Sequence, residues 1–247
     1  MRRLGACLAG LLLVLVSLIG CGDSSATKTI EVFAASSLTE VMAELGTRYQ
    51  QTHRGTRVRA SFGGSQDLVA RLEDGKSADV LVTADVPTME QAARLVGTHR
   101  IIAHNSMTIA VAPGNPKHIR GLADLTDSRL SVVLGSPTTP SGRYAVRVFT
   151  KAGVTVVPKW EEISVRSVLA RVRTGEADAG IVYITDLKSA GAAASSVPIP
   201  AAQNVTADYP AAVLDRSGHK DQARTFVAWL TSPEAVGILT KYGFSPP

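Results

Sequence analysis

The sequence is poor in cysteine. Of its 247 residues only Cys7 and Cys21 are cysteines, and Cys7 lies inside an apolar stretch near the start of the chain. If that stretch is removed on export, at most one cysteine remains, which excludes a disulfide framework and a thiolate metal site. The sequence also lacks G-x-S-x-G, H-E-x-x-H, P-loop and dinucleotide-binding motifs. We therefore expect no enzymatic activity, and a lipid-anchored serine hydrolase is only a remote alternative.

Basic charge is present but never concentrated. The formal net charge is +5, of which two charges come from Arg2 and Arg3, and aromatic residues make up 5% of the chain. Nucleic-acid-binding surfaces need clustered Lys and Arg with aromatic residues between them, so no nucleic-acid partner is expected. After the N-terminal stretch, no apolar run approaches the roughly 18 residues that a membrane-spanning helix needs.

The N-terminus has the pattern of an export signal. Two arginines precede a long apolar run, and Leu-Ile-Gly then leads directly to Cys21, which resembles a bacterial lipobox. We predict a lipoprotein signal peptide at residues 1–20, a flexible tether at 21–28 and a lipid on Cys21 that anchors the protein to the outer face of the cell membrane. An ordinary cleaved signal, in which Cys21 is incidental, is the alternative.

Apolar runs and segments of helical periodicity alternate along the rest of the chain, which predicts an α/β protein with mostly parallel sheets. Strands are predicted at residues 30–34, 57–62, 79–83, 108–112, 130–134, 154–157, 180–184 and 209–214. Helices are predicted at residues 38–51, 67–73, 88–96, 143–151, 165–173, 221–230 and 233–241, and the alanine-rich residues 190–196 are predicted to form a surface loop.

The alternation is interrupted twice, which indicates two lobes joined by two crossing segments. We predict that residues 29–110 and 208–247 form lobe 1 and that residues 111–207 form lobe 2, each a mostly parallel sheet flanked by helices. The carboxyl ends of both sheets then surround one cleft, which is where open α/β sheets bind their ligands.

Two strand-to-helix turns in lobe 1 consist almost entirely of small and hydroxyl residues. The first contains Ser36 and Ser37, and the second contains Gly63, Gly64 and Ser65. Serine hydroxyls beside the free N–H groups of a helix start form a cradle for anions that needs no basic residue. The alternative is purely structural, with Ser37 as a helix cap in a capping box and the glycines in a tight turn.

Lobe 2 contains comparable positions. Backbone N–H groups of Ser141 and Val165 lie at predicted helix starts, and Tyr183 ends an apolar strand where its hydroxyl can reach the cleft. Ordinary loops, and a core tyrosine with a backbone partner, are the alternatives.

Together these segments resemble a known family. The stretches VFAASSLTEVM, SFGGSQDL, ADVLVTAD, SVRSVLARVRTGEADAGIVYITD, YPAAVL and KYGF are similar, in order and spacing, to the periplasmic molybdate-binding proteins. These are type II solute-binding proteins that feed an ABC importer. The resemblance covers residues 29–244 and implies the two-lobed fold, molybdate or tungstate as ligand, a permease and ATPase complex as partner, and no cofactor.

The resemblance also implies a ligand site made only of uncharged donors. By motif, the two serine hydroxyls, the two backbone amides and the tyrosine hydroxyl correspond to Ser37, Ser65, Ser141, Val165 and Tyr183. The only metal expected is molybdenum within the oxyanion, without a direct protein ligand. A sulfate, phosphate or other oxyanion binder on the same fold is the nearer alternative, and a monomer is the default.

Three charged residues adjoin these turns. Asp67 is expected to serve the dipole of its helix from outside the site, and Arg143 and Arg166 are expected at the solvated rim.

Overall fold

The computed structural model describes residues 27–247, so the predicted signal peptide and Cys21 lie outside the described residues. The strands are β1 (Lys28–Ala35), β2 (Thr56–Gly63), β3 (Val80–Val82), β4 (Arg100–Val111), β5 (Val132–Gly135), β6 (Trp160–Glu162), β7 (Ala179–Tyr183), β8 (Ser195–Pro198) and β9 (Thr206–Val213). The helices are α1 (Thr39–Thr52), α2 (Ser65–Glu73), α3 (Val86–Gln91), α4 (Pro140–Ala152), α5 (Val165–Arg173), α6 (Ile184–Ala190), α7 (Lys220–Trp229) and α8 (Pro233–Lys241). None of the helices between residues 27 and 247 is long and apolar enough to cross a membrane.

The nine described strands form one continuous sheet in the order β2-β1-β3-β9-β4-β7-β5-β6, with β8 paired to β4. The long strand β4 joins its two parts, because residues 100–106 pair with β9 whereas residues 107–111 pair with β7. We call β1, β2, β3, β9 and residues 100–106 the first half-sheet, and residues 107–111 with β5, β6, β7 and β8 the second half-sheet.

The predicted α/β architecture is confirmed, and the sheet is mixed. Each half contains two parallel pairings, β1 with β2 and β3 in the first and β5 with β6 and β7 in the second. The crossing strands β4 and β9 pair antiparallel with their neighbours. Parallel pairing arises where a helix connects successive strands, whereas the crossing strands run directly from one half to the other.

Burial follows the position of each strand in the sheet. The short central strands β3 and β7 are buried along their whole length, as expected for apolar strands covered by helices on both faces. The edge strand β2 alternates between exposed and partly buried residues. Helices α1, α7 and α8 pack on the first half-sheet, and α4 and α5 pack on the second.

Three predicted elements differ from the structure. No strand forms at residues 154–157, and the strand that pairs with β5 is β6, a few residues later. Strand β4 begins at Arg100, not at 108. Residues 190–196 do not form a plain loop, because they include the end of α6, a 3-10 turn at Gly191–Ala193 and the start of β8.

Candidate functional site

The first serine-rich turn follows β1 as a 3-10 turn, Ser36–Leu38, which leads into α1. No side chain caps the start of the 3-10 turn or the start of α1. The buried Ser37 hydroxyl lies 2.9 Å from the Tyr209 hydroxyl, and Glu40 forms an ion pair with Arg166 of α5. The capping-box alternative is therefore wrong, because both of its side chains have other partners.

The second turn joins β2 to α2. Ser65 begins α2 and is 2% exposed, and its hydroxyl oxygen accepts the N–H of Ala84 at 3.1 Å. Because the oxygen is the acceptor in that bond, the hydroxyl proton of Ser65 remains available for a further acceptor. Gly64 precedes it, where a Cβ atom would lie only 2.4 Å from the Ile163 carbonyl oxygen of the second half. Glycine at this position therefore allows the two halves to approach closely.

Two helix starts of the second half face these turns. The Thr139 hydroxyl caps α4 by accepting the N–H of Gly142 at 3.0 Å, and the Ser164 hydroxyl caps α5 by accepting the N–H of Ser167 at 3.1 Å. These caps do not engage the N–H groups of Ser141 and Val165, which lie in the first turns of α4 and α5. First-turn N–H groups have no acceptor within their own helix.

Tyr183 ends β7 and is 1% exposed. Its hydroxyl is buried and has no hydrogen-bond partner among the described residues. Burial raises the pKa of Tyr183 well above its ordinary value, so the phenol stays protonated and is a donor at physiological pH. Leaving such a group unpaired costs about 1–3 kcal/mol. A buried hydroxyl without a partner therefore points to an acceptor that residues 27–247 do not supply.

All five predicted site residues line one small cavity between the two half-sheets. The lining residues are Ala35, Ser36, Ser37, Gly63, Gly64, Ser65, Gln66, Ala84, Thr139, Pro140, Ser141, Ile163, Ser164, Val165 and Tyr183. None of them carries a charge. The cavity volume is about 20 Å³. The geometry thus presents neutral donors to a very small solute.

Sequence reasoning missed several of these lining residues. Gln66 donates its side-chain N–H to the Ile163 carbonyl across the two halves at 2.8 Å, and Ala84 supplies the N–H that holds Ser65. Neither follows a recognisable sequence signal, because each depends on a contact between distant segments. As expected, Asp67 lies in the first turn of α2 and outside the cavity lining.

The two arginines beside the turns lie outside the cavity lining and are partly exposed, and each bridges the two halves. Arg143 is bonded to Asp85, and Arg166 to Glu40 and the Ser36 carbonyl. Their guanidinium groups therefore have protein partners and do not line the cavity.

Within residues 27–247, no cluster of three or more His, Cys, Asp or Glu side chains is arranged to hold a metal ion. The cavity combines hydroxyl and amide donors with no basic side chain, and such donors bind an anion by hydrogen bonds alone.

Residues 30–245 match the family described as bacterial extracellular solute-binding protein. The chain belongs to this family. Its members capture solutes and are not enzymes, which confirms the expectation of a solute-binding protein and identifies this one as an exported member.

The chain is also similar to individual proteins. The molybdate-binding protein ModA of Mycobacterium tuberculosis H37Rv is 36% identical over 248 residues, which cover 95% of each chain. The periplasmic molybdate-binding protein of Azotobacter vinelandii matches with a TM-score of 0.72 at 20% identity, covering 88% of this chain and 99% of that chain. The sulfate-binding protein SubI of M. tuberculosis H37Rv matches with a TM-score of 0.78 at 22% identity, covering 89% of this chain and 87% of that chain. The predicted family resemblance and the solute-binding-protein fold are confirmed.

Proposed function

We propose that this protein captures molybdate, and tungstate as a second ligand, outside the cytoplasm and delivers it to an ABC importer. The observation that carries the proposal is the buried, unpartnered hydroxyl of Tyr183 in an uncharged cavity that also contains Ser37 and Ser65. The relative with 36% identity is a molybdate-binding protein, and the oxyanion is carried as a transported ligand and not as a cofactor.

Five groups supply the hydrogen bonds in this proposal. The hydroxyls of Ser37, Ser65 and Tyr183 donate to the oxyanion, together with the backbone N–H groups of Ser141 and Val165. Hydrogen bonds to a charged group contribute about 1.5–3 kcal/mol each. Several such bonds, made in a cavity from which water is excluded, hold the anion without a counter-charge.

A site that offers only donors selects for protonation state. Molybdate is fully deprotonated at neutral pH and accepts hydrogen bonds at every oxygen. Monohydrogen phosphate carries a proton that needs an acceptor, and a buried proton without one costs about 1–3 kcal/mol. Phosphate is therefore disfavoured, whereas sulfate, which is also proton-free, must be excluded by size.

The lobes and the anchor complete the proposal. Residues 29–110 and 208–247 move as one lobe and residues 111–207 as the other, with the crossings at β4 and at the start of β9 as the hinge.

A lipid on Cys21 holds the monomeric protein at the outer face of the membrane, where the permease and ATPase complex receives the ligand. Mass spectrometry of the mature N-terminus tests the lipid.

Sulfate is the second candidate ligand, because the sulfate-binding protein SubI shares the fold. Calorimetric titration of the purified protein with molybdate, tungstate, sulfate and phosphate decides between them. We expect tight binding of molybdate and tungstate and weak or absent binding of the other two. Sulfate that competes with molybdate at equal concentration overturns the molybdate assignment.

Serine variants test the site itself. Ser37→Ala and Ser65→Ala each remove one donor, and we expect each to weaken molybdate binding by about 1.5–3 kcal/mol. Ser65→Ala also leaves the Ala84 N–H without its acceptor, and Ser37→Ala leaves the Tyr209 hydroxyl without its partner, so both variants are expected to lower ligand-free stability as well. An unchanged affinity in either variant removes that serine from the site.

A further inference from the structure

Outside the cavity, a network of hydrogen bonds centred on Arg143 spans the two halves. Arg143 lies on α4 of the second half, and Asp85 and Thr88 lie at the start of α3 in the first. The guanidinium Nε donates to Asp85 Oδ2 at 2.8 Å, and Nη2 contacts the same oxygen at 2.6 Å. Nη2 also donates to the Thr88 hydroxyl at 2.6 Å. A single side chain thus binds two residues of the opposite half.

The pair is shielded from water in this arrangement of the halves. Asp85 is 2% exposed, and the Arg143 side chain is 26% exposed. The other carboxylate oxygen of Asp85 accepts the N–H of Thr88 at 3.1 Å, which caps α3. Water screens a buried pair less than an exposed one, and breaking a buried pair leaves a charge without compensation. Separating the halves breaks the contacts of Arg143 but leaves the cap of α3 intact.

Arg143 is also fixed within its own half. Its Nη1 donates to the Thr138 carbonyl at 2.6 Å, in the turn that carries Ser141 two residues before Arg143. On the other side, Asp85 directly follows Ala84, the residue whose N–H holds the Ser65 hydroxyl. The bridge therefore connects the backbone segments that position donors on both sides of the cavity.

A second, more exposed bridge lies near the first turn. Arg166 pairs with Glu40 and donates from Nε to the Ser36 carbonyl at 3.3 Å. Its side chain is 32% exposed and that of Glu40 is 37% exposed, so water screens this pair more than the first. The Arg143–Asp85 pair is the less exposed of the two contacts.

We infer that Arg143 and Asp85 form a latch that holds the cleft closed without touching the anion. The latch therefore changes the affinity for every bound oxyanion by the same factor. This inference rests on the proposed oxyanion-binding function. Apparent affinity is the intrinsic affinity of the closed state reduced by the fraction of molecules that are closed. A contact present only in the closed state changes that fraction, and the fraction is the same for all ligands.

The test compares Arg143→Gln and Asp85→Asn with the unmodified protein. Asp85→Asn keeps an oxygen that can cap α3 and removes the charge. For molybdate and tungstate we expect the dissociation constant to rise about tenfold or more by one common factor, through faster dissociation. The double variant is expected to bind both anions no more weakly than Arg143→Gln alone, because the two residues act as one unit.

A matched control is Arg129→Gln, which removes the exposed ion pair between Arg129 and Asp127. We expect it to leave the dissociation constants unchanged. Thermal melting of each variant verifies that it is folded. If Asp85→Asn fails to fold, the conclusion is drawn from Arg143→Gln alone.

Small-angle scattering of the ligand-free protein tests the latch independently of the proposed ligand. We expect a larger radius of gyration for Arg143→Gln than for the unmodified protein, whichever anion the site takes. An unchanged radius overturns the latch, as does a loss of affinity that differs between molybdate and tungstate. If the unmodified protein binds no oxyanion, the proposed function fails, whereas the scattering result still decides the latch.

Discussion

The hydroxyl of Ser37 lies 2.9 Å from that of Tyr209, and a third residue sets the direction of this bond. Asn105 accepts the N–H of Ser106 at its side-chain oxygen, so its amide nitrogen faces the Tyr209 oxygen at 3.4 Å as a donor. The Tyr209 hydroxyl contacts no other polar group among the described residues, so Ser37 is the acceptor left for its proton. Ser37 in turn has its own proton free for an acceptor in the cavity. A chain of three side chains thus orients a serine as a donor.

Tyr209→Phe removes the hydroxyl that orients Ser37. We expect molybdate binding to weaken by about 0.5–1.5 kcal/mol, the usual contribution of a hydrogen bond between neutral groups, because Ser37 loses its donor and its proton is no longer directed. Calorimetric titration measures the change. Tyr49→Phe is the matched control, since Tyr49 packs against Phe226 and Trp229 away from the cavity. Equal affinities for Tyr209→Phe and the unmodified protein contradict the donor chain.

Tyr183→Phe is expected to weaken ligand binding without destabilising the ligand-free protein. The Tyr183 hydroxyl is buried without a partner in the described part of the chain, so its removal relieves a penalty of about 1–3 kcal/mol. We expect the ligand-free variant to be as stable as the unmodified protein or more stable in urea unfolding, while molybdate binding weakens about tenfold or more. A clear loss of ligand-free stability means that the hydroxyl has a partner in the empty protein.

The sequence predicted the turns better than it predicted the strands that cross between the halves. Small and hydroxyl residues between an apolar run and a helix mark a strand-to-helix turn locally, so Ser37 and Ser65 could be found without any long-range information. Strand β4 was predicted too short because the polar residues 104–106 resemble a loop. They are extended because β9 and the chain end at Ser245 pair with them.

Contacts between distant segments could not be predicted at all. Ser37 and Tyr209 are 172 residues apart in the chain, and nothing near either residue indicates the other. Arg143 is placed at the rim by sequence reasoning, because a lone arginine beside a turn is usually solvated. Its carboxylate partner, Asp85, lies at the start of α3 in the other half of the protein. The same reason explains the false strand at residues 154–157, whose β-branched residues have no neighbouring strand to pair with.

Gly64→Ala tests how closely the halves must approach. The added Cβ lies 2.4 Å from the Ile163 carbonyl oxygen, a backbone atom that cannot move alone. We expect the ligand-free fold to persist, because the halves can separate slightly, and molybdate binding to weaken by about 1–3 kcal/mol, the usual cost of overpacking. Gly97→Ala is the control, since its Cβ has no neighbour closer than 3.9 Å. Normal binding by Gly64→Ala shows that closure needs no glycine there.

Asp186 makes the stability of the protein depend on pH. Burial raises its pKa from 3.8 to about 7, while the N–H of Tyr183, bonded to one carboxylate oxygen at 3.0 Å, opposes the shift. The folded state therefore keeps a proton that the unfolded chain has released between about pH 4 and about pH 7. The Asp186 contribution to the free energy of unfolding falls as pH rises through this window and is constant above it.

Asp186→Asn isolates this contribution, because the amide keeps an oxygen for the Tyr183 N–H but does not ionise. We expect the variant to gain stability relative to the unmodified protein as the pH is raised from about 4 to about 7, with no further gain above that range. Urea unfolding of both proteins across the window measures the difference. A difference that stays constant with pH means that Asp186 is ionised in the folded protein throughout, which its buried and unpartnered second oxygen argues against.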